Sequence, residues 1–197
     1  MVANKKSQKI AFVSHVGDIV EINRPEEWAI AKLHLDKLRG VVPFGLTVGN
    51  HDMKRDGDAS LFQHTFAASS FNGNDWYLEC YSHDREDQHV SANNVNSAQL
   101  FSAGGINFVF SGDQSRVTAL RKTTTGDHGN EVHALLSDYM SRGGLRLLRF
   151  VPSKNQVQVI TYDSTLDQLV ESMPYVPDRN QHQFTIPYDF SARKQQP

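Results

Sequence analysis

Two short stretches of the sequence gather residue types that metal-assisted hydrolysis uses: Gly17-Asp18 and, further on, Gly49-Asn50-His51-Asp52. A carboxylate such as Asp18 can bridge two cations held about 3.5–4 Å apart and offset their repulsion. The side-chain oxygen of Asn50 is a neutral hard ligand, adding coordination without surplus negative charge. His51 can stand over a phosphoryl group and protonate the leaving oxygen, and Asp52 can hold that imidazole in orientation. Gly17 and Gly49 let the backbone turn sharply enough to aim these groups at one point.

Such groups need elements that bring them together. Residues 10–13 form a short apolar run that breaks at Gly17-Asp18, as a buried parallel strand does when it delivers a loop. Pro25-Glu26-Glu27 then opens a segment with Trp28, Ile30, Ala31, Leu35 and Leu38 at helical spacing, and Gly40 can end it. Residues 41–48 read as the next strand, running straight into Gly49-Asn50-His51-Asp52. Strand, helix, strand is a βαβ unit, with both polar loops at the carboxyl ends of its strands, where open α/β sheets bind ligands.

The remainder is less sharply patterned. Residues 53–96 are loop-rich, with room for one or two short helices. Paired glycines at 104 and 105 suggest a hairpin across residues 100–111, and residues 132–140 suggest a short helix. Residues 145–151 and 157–162 read as paired strands turning at Pro152-Ser153-Lys154-Asn155. The segment after Pro174 is expected to be extended and polar, with residues 1–9 a disordered leader and 191–197 a frayed tail, leaving one domain over 10–190.

Composition bounds the alternatives. With 39% apolar and 21% charged residues in 197, the chain can bury a core. A net charge of -2 gives no basic field for nucleic acid. The single cysteine, Cys80, excludes an internal disulfide framework and reads as a buried small hydrophobe. No segment approaches the roughly 18 apolar residues of a membrane helix, and the polar start does not read as a signal peptide, so a soluble, cytoplasmic chain is expected.

The segments 12–20 and 42–52, which carry Gly17-Asp18 and Gly49-Asn50-His51-Asp52, resemble the second and third motifs of calcineurin-like metallophosphoesterases. Residues 101–110, 126–139 and 145–150 are similar to later parts of one bacterial branch, so the likeness covers nearly the whole chain. The resemblance implies an α/β fold of two packed β-sheets flanked by helices, an αββα sandwich. It implies metal-dependent hydrolysis of a small phosphate mono- or diester, with two divalent ions (Mn, Fe or Zn). Asp18 and Asn50 would be metal ligands, and His51 and Asp52 the catalytic pair.

The chain also departs from that pattern. The family's Asp-x-His on an opening strand is not found ahead of Ile10, and residues 111–125, where a strand-end His and Gly-His-x-His are due, contain no histidine. The fold is therefore expected to be incomplete and activity weak or absent in this shortened form. Asp127, His128 and His133 are the candidates to replace the missing ligands, although a polar turn and a helix face account for them as well. His15 is expected to pack beside the site, and His64, His83, His89 and His182 to lie on the surface. Two alternatives stay open: a non-catalytic remnant of the fold, and a module binding a single cation. A serine hydrolase or a P-loop has no support, because neither Gly-x-Ser-x-Gly nor Gly-x-x-x-x-Gly-Lys occurs.

Overall fold

The structure is a computed structural model that describes residues 2–77, 107–112, 119–126, 129–139 and 143–191. It is mixed α/β with three sheets, and its contacts group the chain into two compact units, residues 1–106 and 107–197. Each is taken by itself. The hairpin expected across residues 100–111 lies largely outside the described residues, as do Cys80, His83, His89, Asp127, His128 and the tail from residue 192. Among the described residues, no helix is long and apolar enough to cross a membrane.

The first unit opens with a helical turn, α1 (Lys5–Gln8), where a disordered leader was expected; the Lys5 ammonium donates to the Val41 carbonyl. Strand β1 (Val13–His15) and strand β2 (Phe44–Leu46) pair in parallel, Val13 against Phe44 and His15 against Leu46. Between them runs α2 (Pro25–Leu35), with Pro25 at its first position and Glu27 accepting from the N–H groups of Ile22 (3.0 Å) and Arg24 (3.2 Å). The bond to Arg24 is the reach-back half of a capping box, and the bond to Ile22 ties the preceding loop to the helix start. A tighter turn over Asp36–Leu38 and Gly40 at φ +67° end the crossover. The strand–helix–strand unit is present, and both strands are shorter than the apolar runs that announce them.

Its core is aromatic. Trp28 of α2 meets Phe62 and Phe66 edge-on at 5.9 and 6.3 Å, and Phe62 belongs to α3 (Ser60–Thr65). Phe44 of β2 meets Phe71 at 5.5 Å. Such offset pairs add about 0.5–1.5 kcal/mol each beyond area burial. Ile30 and Leu33 of α2 face outward at 59% and 65% exposure, so only one stripe of the helix holds it down.

The second unit holds the other two sheets. In one, β5 (Glu131–Leu136) lies between β3 (Phe108–Ser111), parallel, and β4 (Arg121–Thr125), antiparallel. This corrects the helix expected over residues 132–140. Val132, His133 and Leu135 are buried and ladder bonds run on both edges, so cross-strand pairing overrides a local pattern too short to decide the period. In the other, β7 (Gln156–Asp163) is central, pairing antiparallel with β6 (Gly144–Val151) on one side. On its other side it pairs with β8 (Gln168–Leu169) and β9 (Gln183–Pro187).

The β6–β7 hairpin turns at Pro152–Lys154 and Asn155, as the sequence announces. The segment after Pro174 is extended, as expected, where it forms β9, but it is not polar throughout: it buries Val176, His182 and Ile186. His182, expected at the surface, is 0% exposed. Leu135 of the first sheet packs with Val157, Val159 and Ile186 of the second, so the two share one apolar layer.

Candidate functional site

The loops that follow β1 and β2 lie against each other, backbone to backbone. A methyl group on Gly17 would sit 2.8 Å from Cα of Gly49, and one on Gly49 would sit 2.2 Å from Oδ1 of Asp18. Only hydrogen fits at these two positions, and Gly17 adds a φ of +101°. Asp18 is itself left-handed at φ +52°, a strained setting for a non-glycine residue that aspartate tolerates better than most. Its Oδ1 accepts the N–H of His51 at 3.0 Å. The Asp18 carboxylate thus touches the chain on both sides of Asn50, at Gly49 and at His51.

Asn50 itself is exposed, and its amide makes no hydrogen bond within the described residues. It borders an open depression of about 460 Å³ lined also by Met53, Lys54, Arg55, Asp56 and Gly57. His51 directs Nδ1 at the Glu21 carbonyl, 2.7 Å away, with the Glu21 carboxylate at 4.0 Å. A carbonyl can only accept, so Nδ1 carries the hydrogen in this contact.

Asp52 has a different place from the one expected. Its side chain is fully buried, and Oδ1 accepts from the N–H groups of Ile19 (2.8 Å) and Val20 (3.0 Å), while Oδ2 accepts from Gly49 (2.9 Å). Burial pushes its carboxyl above the usual range, against the pull of those three backbone donors. Asp52 therefore ties the two loops to each other, and the Glu21 carbonyl holds the His51 ring. Glu21 had no signal in the sequence, since its contribution comes from a main-chain oxygen that every residue carries.

His15 ends β1 and is largely buried. Desolvation lowers its pKa, while Asp52 and Asp18 pull the other way. Its Nδ1 is buried without a hydrogen-bond partner among the described residues. His64 is exposed, as expected. His133 belongs to the second unit, on β5, where Nδ1 lies 3.1 Å from the Thr123 hydroxyl and the ring 5.4 Å from that of Phe108. Burial lowers its pKa, with Glu131 acting in the opposite sense. Its surroundings are those of a packed core histidine, and Asp127 and His128 lie outside the described residues.

Asp18 through its second oxygen, Asn50 through its free amide and His15 through Nδ1 could each offer an atom to a cation. Among the described residues, however, no group of three or more His, Cys, Asp or Glu side chains is placed to hold a metal ion. Two adjacent cations need more ligands than that, so the described residues do not fit a two-ion centre. No protein-family model matches the chain, and no curated protein matches it.

Proposed function

We propose that this chain is a phosphoesterase-type scaffold of the calcineurin-like kind that keeps half of its site. Its turnover of phosphate mono- or diesters in this form is weak or absent, and Asp18 and Asn50 offer ligands for at most one divalent ion of the Mn, Fe or Zn type. The observation that carries this is the contact of the two loops: the Asp18 carboxylate lies against Gly49 and accepts from His51, at the carboxyl ends of two parallel neighbours. Ligands of open α/β sheets bind at that edge.

The residues themselves can do a limited set of things. His51, fixed through Nδ1, can present a protonated Nε2 to the leaving oxygen of an ester. Asn50 can donate to or accept from a phosphoryl oxygen. Asp52 keeps the loops in register without meeting substrate. A divalent ion, when bound, would supply charge neutralisation at phosphate. The finer fold reading, an incomplete sandwich of two packed sheets flanked by helices, is supported by the strand–helix–strand unit in the first half and by the shared apolar layer of two sheets in the second.

The test is turnover of p-nitrophenyl phosphate and bis(p-nitrophenyl) phosphate with added Mn²⁺ or Zn²⁺. A rate less than a tenth of that of a relative carrying all the motifs is expected. A rate within tenfold of that relative would overturn the proposal.

A further inference from the structure

In the second unit, two arginines from different sheets converge on one aromatic ring. The guanidinium carbon of Arg121, at the start of β4, stands 4.2 Å from the ring centre of Phe184, and that of Arg146, on β6, stands 5.7 Å away. Arg146 also faces the Tyr139 ring at 5.8 Å. Neither guanidinium is ion-paired with a carboxylate among the described residues. Among the described residues Arg146 reaches neutral acceptors: the carbonyls of Leu120 (3.4 Å) and Gln181 (3.1 Å) and the hydroxyls of Thr161 (3.4 Å) and Tyr139.

Its Nε is buried with no hydrogen-bond partner among the described residues. Burial works most strongly against its charge, Tyr139 supports it through its hydroxyl, and the neighbouring Arg121 opposes it. Two like charges gathered round one ring, one of them half-buried, form an arrangement that ordinarily comes with a counter-charge. Ring faces offset part of the cost, but a cation–π contact does not neutralise the charge.

We propose that Arg121 and Arg146, meeting over Phe184, form the cationic walls of a binding site for a small phosphate-type dianion. The fork of a guanidinium matches phosphate oxygens in pairs, and two arginines match a charge of minus two better than a single carboxylate does. Arg121 is exposed and supplies the open wall, while Arg146 is held by its acceptors and supplies the fixed one. The dianion is either free phosphate or the phosphate group of a larger ligand. This inference does not depend on the loops around Asp18 and Asn50.

The experiment is calorimetric titration of the full chain with inorganic phosphate and with phenyl phosphate, at pH 7.5 and fixed ionic strength. One-to-one saturable binding is expected for at least one of them, the tighter marking the source, with acetate far weaker. Arg121→Gln should weaken binding at least tenfold, with a melting temperature in phosphate-free buffer lowered by no more than the loss of one cation–π contact; Arg121→Lys should recover part of the binding. Asp18→Asn should leave it intact. Absence of saturable binding of either probe would overturn the proposal, as would undiminished binding in Arg121→Gln or its loss in Asp18→Asn.

Discussion

Oδ1 of Asp18 accepts the backbone N–H of His51 at 3.0 Å, across 33 residues of sequence. That bond joins the loop leaving β1 to the loop leaving β2, so the second loop's histidine takes its place from the first loop's carboxylate. Asp52 returns the tie by accepting from Ile19 and Val20. Each loop holds the other, and a change in either should disturb both.

Gly49 tests how close that approach is. Its φ of -103° is open to any residue, so the cost of a side chain there is the clash alone. Gly49→Ala puts a methyl group 2.2 Å from Oδ1 and 2.3 Å from N of Asp18. Destabilisation of about 1–3 kcal/mol or more is expected from urea unfolding. Gly40→Ala, whose methyl group meets nothing within 4 Å, should cost less despite its positive φ.

Asp52 tests the loop tie against the catalytic role that its sequence context suggested. Asp52→Ala leaves three backbone donors without their acceptor, at roughly 1–3 kcal/mol for each that stays buried. Asp52→Asn keeps one carbonyl oxygen and should cost less than Asp52→Ala. The check is the order of denaturation midpoints: wild type, then Asn, then Ala. Equal midpoints for wild type and Ala would remove the structural role.

Acid should weaken the fold before it reaches the carboxylate range. His15 and His133 both have pKa values lowered by burial, so the folded state keeps them neutral. In the unfolded chain they take a proton near pH 6.5. Above that pH both states are neutral and nothing is lost; as pH falls below it, the unfolded state gains protons first and stability declines. Asp52, with a raised pKa, acts in the opposite sense and at lower pH, because the folded state takes its proton first. Urea midpoints should fall between pH 7.5 and 5.5, and His15→Gln should flatten the slope. A midpoint that rises over this interval would contradict these assignments.

The second unit stands on its shared apolar layer. Leu135→Ala removes a side chain 1% exposed between the two sheets and should cost about 2–5 kcal/mol. Leu33→Ala, on the outer face of α2, should stay within about 0.5 kcal/mol. Differential scanning calorimetry of the two variants makes the comparison.

What could be read from the sequence follows the range of the forces involved. The strand–helix–strand unit was legible because its signals are local: Pro25 and Glu27 at a helix start, Gly40 at its end, and apolar runs ending in Gly17-Asp18 and Gly49-Asn50. Strand β5 was misread because Val132, Leu135 and Leu136 fit either period, and what decides is pairing with Phe108–Ser111 on one side and Arg121–Thr125 on the other. Strand β9 and the burial of His182 depend in the same way on the edge of β7, which no local pattern of polar residues reveals. At the candidate site, residue types pointed to Asp18 and His51, whereas the partners of Asp52 and the Glu21 carbonyl are backbone groups and carry no residue signature.

The most direct measurement is the number of Mn²⁺ ions bound per chain, read by electron paramagnetic resonance of free manganese during titration, for wild type and Asp18→Asn. At most one ion per wild-type chain is expected, and any such binding should be lost with the Asp18 carboxylate. Two tightly bound ions per chain, or binding that Asp18→Asn leaves unchanged, would contradict a half-site built on Asp18 and Asn50.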